Sequence, residues 1–537
     1  MLNHAIFTKD PKANRLVNNG VAEVSEDQSE SALAVLRYEL ETFVCNGQYE
    51  KGMERILDAF LKNLSLATEQ PGVWISGFYG SGKSHMAKML RTLWTDLGFP
   101  DGATAREIAR LPDNVRDLLK ELTTQGKRLG GLRAASGKLG ASASESVRVA
   151  LQEIIFRSAG LPEKYHHGRF VLWLKGKGLF DALKAEVEAK GESFERELKE
   201  MYVSPVLASA LLKVYPDFAD NVKNARMLLK EQYREVTDLS NDELVDAIHV
   251  ALAREGKFPL TVIVLDEVQQ YINDSADRAY RLQEAVETCC KHFGGRLLFV
   301  GTGQTALAGT PTLSKLLGRF PVQVPLSDAD VEGVIREIIL AKKTSAVPKV
   351  EQVLRDNLGE ISRHLHGTKL EHTVADEEVM VADYPILPVR RRFWERVMRA
   401  VDTTGTVAQL RNQLRVVHEA IIATGDRPLG HVVPGDFIYD QNAISLLQTA
   451  ALSREAYSHI EALAAGKSDD LLKARLLKLI YLIGKLPTEA VADTGVRAPP
   501  PTLWPTYLWL TYPRARPSCA SVFPTYCTNC KRRQAWS

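Results

Sequence analysis

The sequence predicts an α/β fold: a parallel sheet flanked by helices, carrying a large helical insert and followed by a C-terminal α-helical domain. Three observations predict it. Short apolar runs at 73–75 (VWI), 261–265 (TVIVL), 296–300 (RLLFV) and 321–326 (PVQVPL) have the length of buried strands. Helical patterns lie between those runs, which makes neighbouring strands parallel. From Ser327 to about Leu486 the pattern is almost wholly helical, with no strand signal.

The first element is a polar lead-in over residues 1–48. An amphipathic helix follows, with Met53, Ile56, Leu57, Phe60, Leu61 and Leu64 on one face. Pro71-Gly72 ends it, and the run VWI leads into a Gly-rich loop. Met86, Leu90, Leu93, Trp94 and Leu97 mark the next helix, stopped by Gly98 and Pro100. Residues 101–255 read as a helical, charged insert with one strand-and-loop stretch at 129–139. The sheet domain with this insert spans 49–326, and the helical lid and its continuation span 327–497.

The last 40 residues, 498–537, differ in kind. They hold seven prolines, three of seven tryptophans and three of six cysteines, and no Asp or Glu. That composition predicts a tail read in a shifted frame.

Composition narrows the function classes. A chain of 537 residues is long enough for about two to four domains. A formal net charge of +2 does not announce a polyanion partner, so nucleic-acid contact would need a local basic patch. No signal peptide or apolar span of membrane length is read. Six cysteines are no disulfide framework in a chain this long, which favours a reducing cytosol.

The chemistry lies in two motifs. Gly77, Phe78, Tyr79, Gly80, Ser81, Gly82, Lys83 and Ser84 (GFYGSGKS) match G-x-x-x-x-G-K-[ST]. Glycines let backbone N–H groups curl around phosphates, and the following helix aims its positive end at them. Lys83 reaches the β- and γ-phosphates of ATP in this reading, Ser84 ligates Mg²⁺, and His85 belongs to the same binding segment. Asp266 and Glu267 end an apolar run, the arrangement in which an Asp holds Mg²⁺ and a Glu activates water. The glycines near Gly137-Lys138 have the wrong spacing, and Leu139 stands where a hydroxyl is needed, so that stretch receives no phosphate role.

Other residues are assigned by position. Thr302, with Gln304 second, follows the next strand and is read as a sensor between Glu267 and the γ-phosphate. Arg319 precedes the last strand, where it would reach a neighbouring subunit's phosphate. Arg411 or Arg415 in the helical domain would fold over the nucleotide. Arg390-Arg391-Arg392-Phe393-Trp394 is the strongest basic–aromatic cluster. It reads either as a nucleic-acid contact or, more naturally, as a solvated helix start with a buried aromatic stripe.

Together these features resemble the AAA+ class of ATPases. The stretches TFVCNGQYEKGMERILDAFLKNL, PGVWISGFYGSGKSHMAKM, VIVLDEVQQY and YPILPVRRRFWE are similar to the P-loop ATPase (BrxC) family of BREX phage-defence systems. That resemblance covers about residues 1–497. It implies an ATP- and Mg²⁺-dependent hydrolase, a homo-oligomer that works with other defence proteins and touches DNA. It also implies a long C-terminal region that this chain lacks, and hence a truncated product. A nucleotide-gated scaffold or switch, and an origin-recognition-like DNA-loading ATPase, remain open beside it.

Overall fold

Strands β1 (Val73–Ser76), β2 (Leu132–Lys138), β3 (Leu260–Asp266), β4 (Leu297–Gly303) and β5 (Val322–Pro325) pair side by side. Every pairing is parallel, in the order β2-β3-β4-β1-β5. The computed structural model describes residues 1–12, 29–66, 72–77, 81–139, 146–254, 256–326, 332–401, 410–487 and 494–496. The tail expected over 498–537 lies outside them.

Alternate side chains of each strand enter different cores. Val73, Ile75, Val262, Val264, Leu298 and Val300 pack with helices α1 (Glu30–Glu41), α2 (Gly47–Leu66) and α3 (Lys83–Thr95). Trp74, Ile263, Leu265, Leu297 and Phe299 pack with helices Val147–Ser158, Asn241–Leu252 and Ala276–His292. Because both faces are covered, the strands read as unbroken apolar runs rather than as alternating ones. Each fully buried Val, Ile or Phe contributes about 1.5–3 kcal/mol to holding these layers together.

The chain divides into two compact units, and the sheet belongs to the one holding residues 29–77 and 82–326. The insert expected over 101–255 is not a single inserted body. Within it, helix Asp113–Leu129 joins the α2–α3 core and β2 is an edge strand of the sheet itself. The helical stretch beyond β2 builds its own core around Phe170, Leu174, Leu183, Leu207, Leu211 and Leu229.

The second unit holds residues 1–12 and the chain from 332 onward. The lead-in expected over 1–48 is therefore split between the two units. Asn3, fully buried, donates to the carbonyls of Thr424 (3.3 Å) and His431 (2.8 Å) and accepts from the Tyr384 hydroxyl (2.6 Å). A segment this short carries no readable period, so its tertiary role is invisible in sequence.

The basic–aromatic run carries the expected buried aromatic stripe, Phe393 and Trp394, but its helix start is buried rather than solvated. Arg390 and Arg391 are buried in helix Pro388–Val401. Arg391 pairs with buried Asp383 (3.0 Å), Arg392 binds Asp376 (2.8 Å), and Arg390 donates to the Val433 carbonyl. Buried cations require such partners, and these are already committed. Among the described residues no helix is long and apolar enough to cross a membrane.

Candidate phosphate-binding site

The site gathers at the carboxyl ends of the strands. β1 ends at Ser76, and α3 begins at Lys83. Phe78, Tyr79 and Gly80 lie outside the described residues. Ser81 is buried. Gly82 adopts φ 86°, and a Cβ there would lie 1.9 Å from the Tyr49 hydroxyl of α2. Both the backbone and the space demand glycine.

Lys83 turns its Nζ back to the Gly77 carbonyl at 2.8 Å, spanning the Gly-rich segment. Burial lowers its pKa to about 8, against the raising influence of Asp266. His85 packs edge-to-face on Phe43 with ring centroids 5.7 Å apart, and burial keeps it below the usual histidine pKa. Beside it, Lys88 and Glu39 form a largely buried ion pair at 2.6 Å that ties α3 to α1.

Strand order decides what meets the loop. β4 lies between β1 and β3, so its tip stands between the Gly-rich segment and the carboxylates. Asp266 accepts hydrogen bonds on Oδ1 from the Ser84 hydroxyl (3.1 Å) and from the Thr302 hydroxyl (2.6 Å). The Glu267 N–H donates to the Thr302 hydroxyl (3.0 Å) and reaches the same Asp266 oxygen (3.2 Å). Asp266 and Thr302 are each 2% exposed, which strengthens these bonds. Ser84 and Asp266 stand 182 positions apart in sequence, so the fold alone brings them together.

The Thr302 hydroxyl, the expected sensor, joins the Asp266 carboxylate to the Glu267 backbone. The Gly301-Thr302-Gly303 run is strand, not a turn, and its glycines admit Trp74. A Cβ on Gly303 would lie 2.2 Å from the indole, whose Nε1 donates to Thr305 (3.0 Å). Glu267 holds φ 59°, a left-handed conformation that non-glycine residues avoid.

Arg319 is not brought to this site. Its carbonyl oxygen lies 2.0 Å from where a Gly72 Cβ would be, at the amino end of β1. The parallel strands therefore put it at the opposite end of the sheet from Lys83, with its guanidinium on Glu287 (2.6 Å). The side chain of Arg411 lies outside the described residues, and Arg415 donates to Gln441 at 2.9 Å.

Sequence reasoning missed three residues here. Tyr49 braces Gly82. Gln269 accepts from the Gln304 N–H (2.6 Å) and fixes the turn after β4. Lys138 stands opposite Asp266 in the β2–β3 register and brings its Nζ within 3.9 Å of the Glu267 carboxylate. Lysine ending an edge strand beside a carboxylate strand was the available signal, but only strand register brings the two residues together.

Ser84 and Asp266 are hard oxygen donors meeting at one point. That suits Mg²⁺, which takes one or two protein oxygens and completes its shell with water and phosphate. Among the described residues no group of three or more His, Cys, Asp or Glu converges as a metal site of another kind. No protein-family model matches the chain.

Proposed function

We propose that the chain binds and hydrolyses ATP as a P-loop ATPase of the AAA+ type. The observation that carries this reading is the junction of Ser84, Thr302 and Glu267 on one Asp266 oxygen, with Lys83 the residue before Ser84. Lys83 leaves the Gly77 carbonyl for the phosphates, and the N–H groups opening α3 hold their oxygens. Mg²⁺, when bound, neutralises phosphate charge. Glu267 orients and deprotonates the attacking water, and the Thr302 bond to its N–H keeps that carboxylate aimed.

Lys83→Ala then abolishes nucleotide binding in a fluorescent-nucleotide titration. Glu267→Gln retains binding and loses turnover. Undiminished binding by the first variant, or wild-type phosphate release by the second, sinks the assignment. Arg319 acts only on a second copy, because it stands at the far end of its own sheet. Turnover per chain therefore rises with protein concentration and the Arg319→Ala variant loses that rise.

The resemblance to BREX ATPases supports a place in a phage-defence complex, with other defence proteins and DNA as partners. Lys138 beside Glu267 supports a second reading, a nucleotide-gated switch. A cation there holds the base in a resting position, and turnover would be slow at every protein concentration.

A further inference from the structure

At the amino ends of β2 and β3, far from the candidate site, five cations gather. Lys127 and Arg128 close helix Asp113–Leu129, which turns through Gly130 and Gly131 into β2. Arg133 is the second residue of β2 and pairs in register with Thr261 of β3. Arg254 and Lys257 bond each other's backbones (3.0 and 2.9 Å) in the bridge that precedes β3. That bridge lies against the same turn: the Lys257 Cβ is 2.9 Å from where a Gly130 Cβ would stand.

Lys127, Arg128, Arg254 and Lys257 are exposed and Arg133 is half-buried. Among the described residues none of the five has a carboxylate within ion-pair distance; Glu255 lies outside those residues. Elsewhere the chain pairs its cations readily: Lys120 with Asp117, and Arg148 with Asp238. Burial and the neighbouring Arg254 both hold the Arg133 guanidinium below its usual pKa, so these two cations repel each other. Like charges held together on a surface attract an anion from outside.

We propose that this end of the sheet is a docking surface for the phosphate backbone of duplex DNA. No exposed aromatic side chain sits among the five. Phe258 beside them is buried against Phe293, so bases have no ring to stack on and single strands are disfavoured. The cations instead offer point charges and guanidinium forks to phosphates, which gives affinity without sequence preference. The inference rests on the DNA partner proposed above and gives it a place in a chain whose net charge of +2 does not advertise one. The surface is independent of the nucleotide chemistry at the other end.

The test is fluorescence anisotropy with a labelled duplex of arbitrary sequence, over a range of salt, on the full chain. Wild type binds with a log–log salt slope of about −4 to −5, since each phosphate neutralised contributes about −0.9. The fourfold variant Lys127→Ala, Arg128→Ala, Arg254→Ala, Lys257→Ala loses at least about tenfold in affinity and about 3–4 of that slope. The swaps Arg128→Lys and Arg254→Lys keep binding, because charge rather than shape is recognised. Nucleotide binding by the fourfold variant, unchanged, shows that it is folded. Equal duplex affinity in wild type and the fourfold variant overturns the proposal. So does tighter binding to single strands, or binding to anionic phosphatidylserine vesicles without binding to the duplex.

Discussion

The two ends of the same five-stranded sheet are chemically opposite. At the carboxyl ends, Ser84, Asp266, Glu267 and Thr302 bond one another, and the cation Lys83 lies next to them in the chain, bonded to the Gly77 carbonyl. At the amino ends, Arg133, Arg254 and Lys257 repeat one sign and lack carboxylate partners among the described residues. Parallel strands produce this division, because every strand presents its amino end on one side and its carboxyl end on the other. A convergent, satisfied cluster is rigid and intolerant of change. A like-charged, exposed one costs little to alter and serves only what it touches.

The largest expected effect breaks the comparison by removing chemistry from one end alone. Glu267→Gln lowers steady-state phosphate release by about a hundredfold or more while duplex binding stays as in wild type. The fourfold cation variant does the reverse, retaining unstimulated turnover. If both variants lose both properties, the ends are not separate.

Thr302→Val comes next. It removes one of the bonds that the Asp266 oxygen accepts and the shorter of the two that the Glu267 N–H makes, in a nearly dry site. Denaturant unfolding should show a loss of about 1.5–3 kcal/mol, the range for a hydrogen bond to a buried charged group. A change below about 0.5 kcal/mol would mean that the hydroxyl is incidental.

A smaller effect sharpens the electrostatics. Lys83 is charged below about pH 8 and neutral above it. Triphosphate favours the charged form, so it raises that pKa on binding. Affinity is then level below about pH 8 and falls as pH rises above it, by at most about tenfold per pH unit. Titrations between about pH 7 and 9 measure this, and Lys83→Arg should flatten the profile because guanidinium stays protonated. Smallest is the stability cost of Arg319→Ala. Its pair with Glu287 is one-third exposed, and such pairs contribute below about 1 kcal/mol.

Much of the sheet was legible because buried parallel strands are apolar on both faces. The run at 261–265 needed only lengthening, to Leu260–Asp266, and the run at 296–300 shifts to Leu297–Gly303. The Gly-rich loop and the Asp-Glu pair were legible as motifs, and their meeting through one carboxylate oxygen follows from strand order. What stayed hidden depends on long-range partners. Tyr49 carries no local mark of its contact with Gly82. Lys138 was set aside as part of a failed loop, while strand register brings it to Glu267. The Arg390–Arg392 run looked like surface because its counterions, Asp376 and Asp383, lie in the preceding helix Val374–Asp383. Asn3 looked like part of a loose lead-in, although its amide is fully enclosed.

The left-handed backbone of Glu267 has an evolutionary consequence. Glycine occupies that conformation freely, whereas a side chain there costs roughly 1–2 kcal/mol. One base change separates a glutamate codon from a glycine codon. Mutational drift therefore has a short downhill path to a sturdier protein with no base. If Glu267 is the base of the proposed reaction, Glu267→Gly should melt at a higher temperature than the wild type while releasing no phosphate.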